Sequence, residues 1–286
     1  MKKNNIILSG VILFLLLSFK YSENFVEMGT STYDDWTFKT IIFKRQASNN
    51  RIKVKYFAAK DYDGTSVPNR YNSWSYSRNI IAYSSGTYMN SYDLSLSKPV
   101  GVTIDNGVIV NRKIADFDGL VIVYATGGIV AANIDEGVTI SGINRKLYIK
   151  NSKDKQMFMD WCEENKATVF QTHLLAYKNK LKIDKYSSKQ TKRERRFLAV
   201  GKNDDGELQY VIIHSPQETS LYDGSSKVLD YLQSYEDMED VIFLINLDTG
   251  AQDVSRAYNS SGTINKAFEG PKSRDEAVNL LVFYWD

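Results

Sequence analysis

Residues 244–253 read LINLDTGAQD, and the reading of this stretch sets how the rest of the chain is organised. With residues 240–243 it forms DVIFLINLD, a short apolar run bounded by turn residues, which reads as a buried strand rather than a helix. Gly250 lets the backbone turn sharply and a ligand approach closely, and Thr249 adds a hydroxyl. Asp248 is therefore delivered at the end of a buried strand.

Working outward, strand patterns dominate. WTFKTIIFKR (36–45) and RIKVKYFAA (51–59) alternate around a Ser-Asn-Asn break and read as a half-buried hairpin. NIIAYSSGTYM (79–89), GLVIVYATGGIVAANID (119–135), KLYIK (146–150), ATVFQTHLLAY (167–177), RFLAVG (196–201), LQYVIIHS (208–215) and AVNLLVFYW (277–285) add further strands. In PVGVTIDNGVIVN (99–111), Asn106-Gly107 between β-branched runs is the strongest local hairpin signal. Helical spacing of Met157, Phe158, Trp161 and Cys162 predicts a helix over 153–166, and Val228, Leu229 and Leu232 predict another over 225–235. The polar, aromatic stretch 60–78 reads as a long surface connection. The expectation is an α+β fold: a mixed, strand-rich sheet with a few packing helices, forming a single domain over 23–286.

Lys2 and Lys3 precede the apolar run 6–19, the order of an export signal, so residues 1–22 are expected to be a signal peptide or a signal anchor. The run is short for a membrane span. An exported chain, in the periplasm, the cell envelope or secreted, with anchoring through 6–19 as the alternative, is the localisation this implies.

Composition excludes several function classes. With 36 Lys+Arg against 34 Asp+Glu there is no global field for a polyanion, and no nucleic-acid partner is expected. Cys162 is the only cysteine and His173 and His214 the only histidines, which excludes zinc fingers and an intrachain disulfide framework. No cofactor is expected. Asp61, Asp63, Asp116, Asp118, Asp204 and Asp205 would have to furnish any Ca²⁺ site, and such Asp-rich turns are more often plain loops. Asp-Thr-Gly is also the active-site triplet of aspartic proteases, which share one proton between two carboxylates. This chain has one such triplet, and too little sequence follows it for the rest of a protease domain.

Three further constellations carry chemistry. FQTHLLAY (170–177) sets Gln171 and His173 on one face of an extended segment, and His is the side chain best suited to proton transfer near neutral pH. KQTKRERRF (189–197) is a basic loop running into an apolar strand, where Arg195 or Arg196 is placed to bind a phosphate bidentately. SSGTYM (84–89) offers hydroxyls and backbone N–H groups to an anion.

Taken in order, SSGTYM, KPVGVTIDNGVIVN (98–111), RRFLAVG (195–201) and INLDTGAQD (245–253) resemble the phosphodiester glycosidase family. In that family an apolar strand leads to an Asn-Gly-Gly-aromatic-Phe turn, then Pro-x-Gly and a hairpin, later an Arg before an apolar strand, and finally Asn-Leu-Asp-Gly-Gly-Gly-Ser. Here Ser85 stands in place of the first Asn, and Thr249 and Ala251 in place of two glycines, while Gly86, Gly101, Asn246, Leu247, Asp248 and Gly250 match. The resemblance implies hydrolysis of a sugar-1-phosphodiester, in envelope polysaccharide or glycan processing. It implies Asp248, His173 and Arg196 as catalytic residues, with Arg195, Ser85, Gly86, Gln171, Thr249 and Gly250 binding the carbohydrate phosphodiester. Because the altered turns bear on activity, a non-catalytic carbohydrate- or phosphoglycan-binding envelope protein of the same fold is the competing expectation. A membrane-anchored scaffold using the 60–78 stretch as its interaction surface is the third.

Overall fold

The period-two patterns are realised as three antiparallel sheets that share one core, each covered on its outer face by one helix. The computed structural model describes residues 26–44, 52–58, 61–62, 65–91, 97–185, 191–234, 238, 240–250, 253–259 and 261–285. The signal or anchor expected over residues 1–22 lies outside the described residues. No helix among them is long and apolar enough to cross a membrane.

The first sheet runs β1 (Val26–Tyr33), β2 (Trp36–Lys44), β15 (Leu208–Thr219), β14 (Arg193–Lys202), β16 (Asp240–Leu247), β12 (Leu174–Tyr177), β13 (Lys180–Leu181). The second runs β10 (Ile129–Asn133), β9 (Gly119–Val123), β11 (Thr168–Thr172), β7 (Thr103–Asp105), β8 (Val108–Asn111). The third runs β18 (Ile264–Asn265), β17 (Ser255–Tyr258), β6 (Asn79–Ser84), β19 (Leu280–Trp285), β3 (Lys53–Phe57). A short pair, β4 (Asp61–Tyr62) with β5 (Thr65–Ser66), stands apart.

Alternation divides each sheet between two cores. On β14, Leu198 and Val200 enter the shared core with Ile41, Tyr56, Val121 and Phe283, while Phe197 and Ala199 face Val228, Leu229 and Leu232 of helix α3 (Leu221–Ser234). The second sheet turns Ile104, Leu120 and Val169 to Phe158 and Trp161 of α2 (Ser152–Glu164). The third turns Phe57, Tyr83 and Val282 to Tyr71 of α1 (Val67–Ser75). In the shared core Phe43 stacks on Phe283 at 4.9 Å between centroids, joining the first sheet to the third. Such a pair contributes about 0.5–1.5 kcal/mol beyond its burial.

The α+β, strand-rich expectation holds, with local corrections. Every described ladder is antiparallel rather than mixed, for instance β14 with both β15 and β16. The half-buried hairpin expected from 36–59 does not form: β2 pairs with β1 and β15, and β3 with β19 in another sheet. KLYIK is not a strand and makes only an isolated bridge from Leu147 to Val138, although Leu147 and Ile149 are fully buried. The stretch read as a surface connection contains α1, started by Ser66, whose Oγ accepts from the Asn69 N–H, and by Pro68 in its first turn. Tyr71 and Trp74 anchor it edge-on to Phe57, so aromatic packing overrides its weak helix propensity. Val67, Pro68 and Tyr71 of this stretch are buried.

The run 167–177 is two strands, not one. β11 pairs with β9 and β7 in the second sheet, and β12 pairs with β16 in the first. His173 alone separates them, where two sheets part.

Candidate active site

β16 lies between β14 and β12, and its end is tied to the turn after β6: the Asp248 N–H donates to the Gly86 carbonyl at 3.1 Å. Asp248 is only 6% exposed, and its Oδ1 accepts from the Gly250 N–H at 2.9 Å. Burial lifts its carboxyl above the usual carboxylate range. The Gly250 N–H opposes that rise, the negative Asp253 adds to it, and Arg196 and Arg193 pull it back. Asp248 is thus a buried carboxylate of raised basicity with two arginines within electrostatic reach.

The turn after β6 is fixed from three sides. Ser85 is spent on backbone: its N–H donates to the Val254 carbonyl at 2.7 Å and its Oγ accepts from the Val254 N–H at 2.9 Å. A Cβ on Gly86 would meet the Tyr56 ring at 2.7 Å, so only glycine lets the turn lie on that ring. Asn279 Oδ1 accepts from the Gly86 N–H at 2.7 Å and from the Tyr56 hydroxyl at 3.2 Å, while its Nδ2 donates to the Thr87 carbonyl at 3.2 Å. Thr87 Oγ1 donates to the Gln171 carbonyl at 2.8 Å. Ser85 and Gly86 therefore shape the turn and present no side chain to a ligand.

What the turn does present is Tyr88, whose hydroxyl accepts from Asn246 Nδ2. Burial, the main cause, raises the Tyr88 phenol well above its ordinary range and keeps it protonated. The Tyr88 ring lies edge-on to His173 at 5.6 Å and against Phe117 at 5.3 Å, and Phe117 meets His173 at 4.6 Å. Asn246 also donates to the Leu247 carbonyl at 2.8 Å, and its Oδ1 is buried with no partner among the described residues. An unpaired buried acceptor of this kind is uncommon in folded proteins.

Gln171 is fully used by the scaffold. Its Oε1 accepts from the Val102 and Ala115 N–H groups at 2.8 and 3.0 Å, and its Nε2 donates to the Phe117 carbonyl at 3.0 Å. It holds the loop that carries Phe117 against His173. Thr249 Oγ1 donates to the Glu194 carbonyl at 2.8 Å, and Gly250 leaves room for Asp248 Oδ1, 3.1 Å from where its Cβ would be.

The two adjacent arginines diverge. Arg196 is closed in a bidentate pair with Asp253, Nη1–Oδ1 2.5 Å and Nη2–Oδ2 3.1 Å, with Ser84 Oγ at 3.1 Å from Nη1. Arg195 donates to the Thr219 and Thr191 carbonyls at 3.2 and 2.6 Å and meets no carboxylate among the described residues. Burial lowers its pKa, and its charge reaches Tyr88. Exposed Arg193 lies within electrostatic reach of both Asp248 and Tyr88.

Around the end of β16 the fold thus gathers Asp248, His173 and Arg195 among the expected residues, with Tyr88, Phe117 and Arg193 added. Gln171, Ser85, Gly86, Thr249 and Gly250 support them. Arg196, expected as the phosphate clamp, has its guanidinium paired with the Asp253 carboxylate. Tyr88 and Arg193 were signalled in the sequence, as the aromatic of SSGTYM and as part of the basic run, whereas Phe117, Tyr56 and Asn279 carried no local signal. Among the described residues no group of three or more His, Cys, Asp or Glu side chains is arranged to hold a metal ion. Asp118, one of the carboxylates considered for Ca²⁺, accepts from the Leu174 N–H at 3.1 Å, and Asp63 lies outside the described residues.

No family model and no curated protein matches the chain. Among solved structures it is similar to the catalytic domain of zebrafish N-acetylglucosamine-1-phosphodiester alpha-N-acetylglucosaminidase, described as auto-inhibited by its pro-peptide. The TM-score is 0.50 and the identity 13%, over 91% of this chain and 82% of that one. A hypothetical protein from Synechocystis aligns with a TM-score of 0.48 and 9% identity, over 91% of this chain and 62% of that one. At 13% identity the likeness to the zebrafish domain is one of fold alone.

Proposed function

We propose that the chain is an exported hydrolase that cleaves the bond between a sugar's anomeric carbon and a phosphodiester. The observation that carries this reading is Asp248, a buried carboxylate of raised basicity beside arginine charge and an aromatic cluster, in a fold shared with an enzyme named for that reaction. A phosphate monoester leaves as a stabilised anion, so the leaving group needs a cation more than a proton. Exposed Arg193, with Arg195 behind it, supplies that cation. The attacking water must lose a proton; Asp248 takes it as the base, and His173 relays it onward. Tyr88 and Phe117 offer ring surface to the sugar, and Asn246 Oδ1 and the Tyr88 hydroxyl take its hydroxyls. Arg196 acts at one remove: by neutralising Asp253 it limits the negative charge felt by Asp248.

The test is release of free sugar from an N-acetylglucosamine-1-phosphodiester by the protein and by its Asp248→Asn variant. The expected result is turnover by the parent and a loss of about 10²–10⁴-fold in the variant, with the parent's rate falling as pH drops below the raised pKa of Asp248. Equal rates in the two proteins would remove Asp248 from the chemistry. A second reading, a carbohydrate-binding protein without turnover, is favoured by one feature: Asp253, the other carboxylate whose charge reaches Asp248, is neutralised by Arg196, leaving no free carboxylate pair. Ligand binding without product release from either protein would select it.

A further inference from the structure

On the face of β14 that carries Arg196 lies a pocket of about 170 Å³ that none of Asp248, Asn246, His173, Tyr88 or Phe117 lines. We propose that this pocket is a second ligand site, which takes a small oxyanion, a carboxylate or a phosphoryl group, between Lys39 and His214. One water takes up about 30 Å³ of liquid, so the space suits an ion of that size and a few waters.

The charges around the pocket decide the sign of the ligand. Its carboxylates are largely spent. Asp253 is held by Arg196, and Glu269 is held by Arg256 at 2.7 Å. Glu194 is exposed and 4.0 Å from His214 Nε2. Of the cations, Lys39 forms no ion pair among the described residues, and exposed Lys266 joins it in the lining. With two ion pairs cancelled, two ammonium groups face one carboxylate, a balance that attracts an anion and repels a cation.

His214 supplies the second argument. It lines the pocket, and its Nδ1 is buried without a hydrogen-bond partner, an arrangement that folded proteins avoid unless a water, ion or ligand completes it. An oxyanion oxygen would complete it while answering Lys39. Burial, then the charges of Arg196 and Lys39, press the His214 pKa down to about 3. A bound anion offsets the Lys39 charge, unpaired among the described residues, and favours the imidazolium, so binding is accompanied by proton uptake and tightens as pH falls.

The chain has two histidines, so its imidazole NMR signals separate this pocket from the Asp248 cluster. Inorganic phosphate and, separately, acetate would be titrated into the full chain at constant ionic strength. The His214 signals are expected to move saturably with at least one anion, its titration midpoint is expected to rise, and Lys39→Ala is expected to weaken binding about tenfold without changing the melting temperature. Tighter phosphate would assign a phosphoryl ligand and tighter acetate a carboxylate, and either supports the site. No saturable movement of His214 with either anion, or unchanged affinity in Lys39→Ala, would overturn it.

Discussion

Arg195 and Arg196 are neighbours on one strand, each 5% exposed, yet they occupy different chemical worlds. Arg196 faces the shared core and is answered by a buried carboxylate, whereas Arg195 turns to the opposite face and is held by two backbone carbonyls. Alternation alone separates them, because successive strand residues point to opposite faces. Burial is therefore no guide to role here. The partner is: the Arg196 charge is offset by Asp253, whereas Arg195, held by carbonyls, has no carboxylate among the described residues to offset the charge that reaches Tyr88.

The sharpest way to break this comparison is Arg196→Ala. It leaves Asp253 buried and unpaired, and the expected loss is about 3–5 kcal/mol of unfolding free energy in a denaturant titration. Replacing both partners with apolar residues, Arg196→Met with Asp253→Leu, is expected to recover much of that loss. A single variant as stable as the parent would show that the pair is not structural. On the other side, Arg193→Ala is expected to leave stability within about 0.5 kcal/mol and to raise KM for a sugar phosphodiester about tenfold, or about 1.4 kcal/mol of binding. Unchanged KM would remove Arg193 from the proposed phosphate contact.

The smallest effect concerns Asp248 and pH. Its folded pKa lies above the unfolded value, so between the two the folded chain holds more proton than the unfolded one. Stability from this group is full below the unfolded pKa and declines as pH rises through the raised one. Asp248→Asn is expected to flatten that part of the stability profile, measured by melting in a pH series. A profile unchanged by the substitution would mean that Asp248 is not desolvated.

Much of this arrangement could be read from residue order, and the exceptions share a cause. The Asn106-Gly107 hairpin was legible because it is local: both residues take positive φ, 50° and 84°, as a two-residue turn of this kind requires. Asp248 at a strand end was legible for the same reason. The division at His173 was not, because the residues from Thr168 through Ala176 are all buried and nothing in their pattern marks a change of sheet. Helix α1 was hidden by its polar composition, since the rings that hold it come from β3, β6 and β19. The role of Arg196 depended on a carboxylate 57 residues away, a pairing that no motif encodes.

The clasp of Gly86 by Asn279 spans 193 residues, and that of Tyr56 by Asn279 spans 223. The turn that presents Tyr88 is thus secured by a residue close to the last strand, and contacts of such long sequence separation form slowly. A growing chain has its Asp248 before it has the clasp. The geometry around Asp248 is a late product of folding, set when β19 closes the third sheet, and a chain cut short before residue 279 would carry these groups without the arrangement that gathers them.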